Sequence, residues 1–208
     1  MIIKEVPYNM KNTKICGRFA PTPSGRIHLG NIFCSLLAWL HAKSQGGEIV
    51  LRIEDLDKVR CPRPNADLLA KDLEWLGLTW DRGAYLSPDS ERYFQSQRFD
   101  IYAEYFDKLE AQDLIYPCFC SRGQLHAAEA PHLSDGRILY AGTCKNLTSA
   151  ERLERAKTRQ PAYRLAVNNE PISFIDGNYG EQSYNLIEES GDFIVRRSDG
   201  VYAYQLAV

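Results

Sequence analysis

Gly17-Arg18-Phe19-Ala20-Pro21-Thr22-Pro23-Ser24-Gly25-Arg26-Ile27-His28-Leu29-Gly30-Asn31 decides the fold, because it joins a short strand to an amphipathic helix through a proline- and glycine-rich turn. Lys14 to Ala20 leans apolar, and Ile32, Phe33, Leu36, Leu37, Leu40 and His41 follow at helical spacing between Leu29 and Gln45. Glu48 to Ile53 is β-branched and short enough for a buried strand. Pro64 to Leu76 resumes the helical period through Leu68, Leu69, Leu73 and Leu76 and stops at Gly77. This β-α-β-α opening predicts an α/β fold built on a parallel sheet. A strand-to-helix turn of this kind aims backbone N–H groups and the positive helix end at a phosphate. Gly25 and Gly30 let a ligand approach the backbone, and His28 can donate to a phosphoryl oxygen where charge develops. By itself, His28-Leu29-Gly30 is also a tripeptide that a helix start can carry by chance.

Downstream, Ser90 to Leu114 reads as one long helix with Phe94, Ile101, Tyr102, Tyr105, Phe106 and Leu109 on its inner stripe. Residues 116–144 show no sustained period and read as an insertion. Thr148-x-x-Glu151 is a capping box that opens a helix to about Arg159. Ala162 to Val167, Ile172 to Asp176, Phe193 to Arg197 and Val201 to Val208 read as strands, with Asp199-Gly200 as a tight turn. The expected organisation is a first catalytic half over 1–115, an insertion over 116–147 and a second catalytic part over 148–208. The last strand would be left unfinished at Val208, so a truncated piece is expected.

The chain has 208 residues and is 44% apolar, enough for one domain with an insertion. A net charge of −2 gives no global attraction to nucleic acid, so any RNA contact needs a local basic patch. No apolar run is long enough for a membrane span, and residues 1–14 lack a signal-type core, so a cytoplasmic protein without a membrane partner is expected. Of the six cysteines, Cys16, Cys34 and Cys61 are scattered and read as non-ligands. Cys118, Cys120 and Cys144 are gathered, which suits a metal better than a disulfide framework. Zinc takes four soft or borderline ligands, and His126 and His132 are ordinary candidates for the fourth position; three reduced cysteines in a loop are the plain alternative.

The stretch from Arg18 to Asn31, followed by Leu51-Arg52-Ile53-Glu54-Asp55-Leu56-Asp57, resembles the glutamyl branch of the class I aminoacyl-tRNA synthetases, the first part matching their HIGH region. Asp72 to Asp81, Tyr116 to Arg122 and Ser198 to Ala207 are similar to the same branch, so the resemblance runs from Lys14 to Val208. Within the branch, Ile53 to Asp57 and Tyr140-x-x-x-Cys144 resemble the glutamyl-queuosine tRNA(Asp) synthetases most.

The resemblance implies a Rossmann-like nucleotide-binding domain with a small zinc-binding insertion. It implies L-glutamate, ATP with Mg2+, and queuosine-containing tRNA(Asp) as partners of a monomer that forms glutamyl-adenylate and transfers the glutamyl group to the wobble base. On this reading Arg18 holds the side-chain carboxylate of glutamate, Thr22 supplies a hydroxyl, Glu54 takes the α-amino group, and Tyr204 with Phe19, Ala20 and Pro21 lines the same pocket. An Arg fork and an acid are also what the charges of glutamate require. Pro21, Gly25, His28, Gly30 and Asn31 would hold ATP, with His28, Gly30 and Asn31 as the catalytic set. Asn31 stands where the archetype has a second His. Asp55 and Asp57 read as structural or ion-paired rather than catalytic. The family suggests Tyr140 as the fourth ligand of one structural Zn2+. No Lys-Met-Ser-Lys-Ser-type loop occurs before Val208. An ordinary glutamyl-tRNA synthetase front half and a non-catalytic RNA-binding or zinc-organised interaction module are the rival readings.

Overall fold

The computed structural model describes residues 14–86, 88–125 and 139–208. It divides into two compact units, one ending at Arg98 and the other spanning Phe99–Val208.

In the first unit, β1 (Cys16–Phe19) leads into α1 (Leu29–Ser44), β2 (Glu48–Leu51), α2 (Arg63–Trp75) and β3 (Arg82–Gly83). The strands form a parallel sheet in the order β1-β2-β3, with Phe19 opposite Leu51 and Leu51 opposite Gly83. The expected parallel β-α-β-α opening is therefore present. Phe19, Ile49, Leu51, Ile53, Leu69, Leu73 and Phe94 fill the core.

Helix α1 does not bury the stripe that its apolar period suggests. Phe33, Leu36, Leu37 and Leu40 are exposed, while Ser35 and Ala42 are buried and Ala38 and Trp39 pack against the core. The reason is a close approach at Gly17, where a Cβ would lie 2.7 Å from Ile49 Cδ1, 3.2 Å from the Ala38 carbonyl and 3.3 Å from Ala42 Cβ. Only small side chains on α1 fit that separation.

The long helix expected from Ser90 is also corrected. Pro88–Tyr93 and Gln95–Gln97 are 3-10 turns, and α3 begins at Phe99 (Phe99–Ala111). Ile53 exchanges backbone bonds with this segment: Ile53 N donates to Tyr93 O at 2.8 Å and Gln95 N to Ile53 O at 3.0 Å. The pairing draws Phe94 into the core and is incompatible with a continuous helix.

The second unit continues with β4 (Ile115–Cys118), α4 (Arg122–Leu125), α5 (Ser149–Ala156), β5 (Ala162–Leu165), β6 (Ile172–Asp176), β7 (Gly180–Tyr184), α6 (Leu186–Glu189), β8 (Ile194–Arg196) and α7 (Tyr204–Ala207). β4, β5 and β8 form an antiparallel sheet with β5 in the middle, and β6 and β7 form a hairpin. On α3, Tyr102 and Phe106 are buried, but Ile101 and Tyr105 are exposed. Thr148 caps α5 in the predicted box: its hydroxyl accepts from Glu151 N, and its backbone N–H donates to the Glu151 carboxylate at 2.8 Å. The helix ends at Ala156 rather than Arg159. The expected strand from Val201 to Val208 is instead an isolated bridge between Tyr202 and Arg196 followed by α7, whose Ala207 and Val208 N–H groups donate to Ala203 and Tyr204.

Gly83 has φ +118°, and a Cβ there would fall 2.2 Å from the Leu51 carbonyl oxygen. Gly83→Ala should therefore cost at least about 3 kcal/mol of stability. Urea unfolding measures this, and a loss below 1 kcal/mol would contradict the register of β2 and β3.

Candidate functional site

The turn after β1 is stitched to the segment after β2. Arg52 N donates to Phe19 O at 2.8 Å, and Glu54 N donates to Pro21 O at 3.1 Å. Pro21 and Pro23 are buried, whereas Thr22, His28 and Gly30 are exposed. His28 is the N-cap of α1, with φ −103° and ψ 165°; its carbonyl accepts from Ile32 N at 3.1 Å, and its side chain makes no capping bond. The first turn of α1 holds no acidic residue. Its N–H groups and the positive helix end therefore lack an anionic partner from the helix itself. A Cβ at Gly25 would meet nothing within 4 Å, and one at Gly30 would lie 3.4 Å from the His28 ring. Nothing in the described packing requires glycine at position 25, so the bare backbone there is open to a ligand.

Arg18, Phe19, Ala20, Pro21 and Asn31 line one cavity of about 100 Å3, together with Cys34 and Ser35. The first five are residues that the sequence nominates. Cys34 and Ser35 were not nominated, and their signal is positional, since they lie one helical turn beyond Asn31. Arg18 also lines a second cavity of about 610 Å3 with Arg52, Arg92, Arg98, Tyr93 and Val50. Among the described residues, Arg18 has no ion-pair partner.

Glu54 is buried, with a relative exposure of 6%. Its Oε1 accepts from Arg52 Nε at 2.5 Å, and both of its oxygens receive Gln95 Nε2 at 3.4 Å. Oε2 thus keeps most of its acceptor capacity, while Arg52 Nη2 is buried without a partner. Asp55 accepts from Ser96 N at 2.9 Å and Ser96 Oγ at 2.7 Å, a structural role. Asp57 Oδ1 accepts from Arg60 N at 3.2 Å. Gln95 and Ser96 are the residues that sequence reading missed here, hidden inside what reads as a helix. Tyr204 opens α7 in the second unit and is exposed.

The gathered cysteines converge in the second unit. The Sγ atoms of Cys118, Cys120 and Cys144 lie within 4.8 Å of one another, a group that can hold a metal ion. Cys120 Sγ and Cys144 Sγ are 3.6 Å apart, and Tyr140 Oη lies 3.4 Å from Cys118 Sγ and 3.9 Å from Cys120 Sγ. Tetrahedral zinc with Zn–S of about 2.3 Å and Zn–O of about 2.0 Å requires donor separations of roughly 3.5–3.8 Å, and the 3.4, 3.6 and 3.9 Å separations lie close to that range, with the three sulfurs together spanning no more than 4.8 Å. Cys144 N donates to Tyr140 Oη at 2.9 Å, fixing the phenol oxygen. Without a cation, burial and the neighbouring Cys118 push the Cys120 thiol up to about 11, and burial with Cys118 pushes the Tyr140 phenol well above its ordinary value. At Cys118, burial raises the thiol, but hydrogen bonds to Tyr140 and Arg164 outweigh it and leave it lowered. A divalent ion at the centre favours every deprotonated donor. His126 and His132 lie outside the described residues.

With this geometry in place, the matches to known proteins become specific. Residues 14–208 match the family model of the class I tRNA synthetases (E and Q), catalytic domain. The chain belongs to that family. It is 47% identical over 197 residues to a glutamyl-Q tRNA(Asp) synthetase of Symbiobacterium thermophilum, covering 93% of this chain and 61% of the relative. It is 42% identical to glutamate–tRNA ligase 2 of Alkalilimnicola ehrlichii, covering 94% and 41%. A glutamate–tRNA synthetase structure from Elizabethkingia anophelis superposes with a TM-score of 0.71 at 28% identity, covering 94% of this chain and 41% of that one. The chain thus spans about three fifths of the length of the glutamyl-Q relatives it matches. Among the described residues, no helix is long and apolar enough to cross a membrane.

Glu54→Ala should cost about 2–3 kcal/mol, because it strands the Arg52 guanidinium, whose side chain is only 19% exposed. Urea denaturation should show the loss, with the Arg52→Met/Glu54→Leu double variant recovering most of it. A neutral Glu54→Ala would mean the pair is not formed.

Proposed function

We propose that the protein activates L-glutamate with ATP and transfers the glutamyl group to queuosine at the wobble position of tRNA(Asp). The observation that carries this reading is the single cavity that gathers Arg18, Pro21 and Asn31 beside an uncapped helix start. In the first step a glutamate α-carboxylate oxygen attacks the α-phosphorus of MgATP. The bond to the bridging oxygen breaks, and pyrophosphate leaves with its electron pair. The nucleophile is already ionised, so no general base is needed. The N–H groups of the first α1 turn and the exposed His28 ring face the charge that builds on the phosphoryl oxygens. Gly25, Gly30 and Asn31 complete the nucleotide side. Arg18 forks the side-chain carboxylate, with Phe19, Ala20, Pro21 and Thr22 around it, and Oε2 of Glu54 takes the ammonium. In the second step a queuosine ring hydroxyl attacks the activated carbonyl carbon, AMP leaves, and the hydroxyl proton is released.

The choice of a wobble base over a 3′ end is supported by two relatives named glutamyl-Q tRNA(Asp) synthetase at 47% and 45% identity, other relatives of that name standing at 39–41% and glutamate–tRNA ligases at 38–42%. Arg92 and Arg98, which line the larger cavity, give a chain of net charge −2 a local basic feature for RNA contact. One structural zinc would be held by Cys118, Cys120, Cys144 and Tyr140; four protein donors would complete a tetrahedral shell and leave no open catalytic position.

Radiolabelled glutamate should pass to queuosine-containing tRNA(Asp) and not to queuosine-free tRNA(Asp) or tRNA(Glu). Transfer to tRNA(Glu) would move the assignment to 3′-end charging, and no transfer with intact motifs would favour a binding module. In the same assay Arg18→Ala should raise the glutamate KM on the order of 100-fold, with the ATP KM little changed; equal losses would undo the role of Arg18. Elemental analysis should find about one zinc per chain, absent from the Cys118→Ser/Cys120→Ser variant; a fully folded, metal-free wild type would refute the zinc assignment.

A further inference from the structure

Three thiolates, one phenolate and one divalent cation leave a buried centre with two excess negative charges. Such a charge is costly in a low-dielectric interior unless cations compensate it. Among the described residues, the second unit supplies two, from two different elements. Arg164 on β5 is itself buried, with a relative exposure of 6%. Its guanidinium carbon lies 3.6 Å from the centroid of the Tyr140 ring, and its Nη1 donates to Asp192 O at 2.6 Å. Its Nε is buried with no hydrogen-bond partner. Arg155, in the last turn of α5, donates from Nη1 to Cys144 Sγ at 3.9 Å. Among the described residues, Asp192 accepts from Tyr116 Oη at 2.6 Å and Val167 N at 2.8 Å, and pairs with Lys145 at 3.2 Å.

We propose that Arg164 and Arg155 form a charge-compensating outer shell of the Cys118–Cys120–Tyr140–Cys144 site and set its affinity for the metal. The inference rests on the zinc assignment above and adds to it. Arg164 acts through the face of Tyr140, whose Oη lies 3.4 Å from Cys118 Sγ and 3.9 Å from Cys120 Sγ; Arg155 acts on the Cys144 sulfur. The two are positioning residues, neither being a ligand. Their contributions differ because Arg164 is desolvated and Arg155 is exposed.

The test is zinc affinity, read by competition with a colorimetric chelator on the zinc-loaded protein, with circular dichroism confirming the fold. Arg155→Gln should weaken zinc binding about tenfold, and Arg155→Glu should weaken it further at a surface position where folding is not at risk. Arg164→Lys, which keeps the charge and loses the flat stack, should fall between wild type and Arg164→Met. Raising the salt concentration should shrink the Arg155 effect more than the Arg164 effect. Wild-type affinity in both Arg155→Glu and Arg164→Met would overturn the outer-shell role and leave the zinc site standing. Absence of zinc from the wild type would overturn both.

Discussion

The close seating of α1 on β1 is the constraint on which the rest of the first unit depends. Gly17 has no room for a side chain between Ile49 and the Ala38–Ala42 stretch of the helix. That contact brings backbone near backbone and fixes where the helix begins beyond the end of the strand. The start of α1 then stands over the same turn whose Pro21 carbonyl is held by Glu54 N. Arg18 at the end of β1 and Asn31 in the first turn of α1 thereby reach one cavity with Pro21. The small residues Ser35, Ala38 and Ala42 are therefore as much a part of the site as the charged ones.

The second unit solves a different problem. Around residues 116–147 the sequence has little periodic apolar content, and the structure gathers three sulfurs, a phenol and two guanidinium groups there instead. A small core formed by Tyr116, Cys118, Phe119, Tyr140 and Cys144 surrounds them. Polar groups at this density need partners, and Arg164 Nε is left without one. Asp192 shows the same logic, joining Tyr116, Val167 and Lys145 through one carboxylate.

Much of this was legible before the coordinates, and the exceptions share a cause. The parallel opening, the capping box at Thr148 and the strand from Ile172 to Asp176 follow from local period and local side-chain bonds. The stripe on α1 misled because its large apolar residues face outward, and close packing, which a helical period does not encode, selected the small ones. Ser90 to Leu114 misled because Phe94, Gln95 and Ser96 have long-range partners at Ile53, Glu54 and Asp55. Val201 to Val208 misled because four apolar residues in a row fit a strand or a helical turn equally. Of the nominations from Arg18 to Asn31, Arg18, Phe19, Ala20, Pro21 and Asn31 share one cavity, while Thr22, Gly25, His28 and Gly30 do not line it. Gln95 and the arginines at 92, 98, 155 and 164 escaped because their roles come from tertiary neighbours alone.

The most direct measurement is backbone amide NMR of the protein titrated with a non-hydrolysable glutamyl-adenylate analogue in which a sulfamoyl group replaces the phosphate. The account predicts that the largest shifts fall on Leu29, Gly30 and Asn31 and on Gly25, with the Arg18 guanidinium signal moving only when the glutamyl carboxylate is present. Saturable binding of the analogue with those amides unmoved would contradict it.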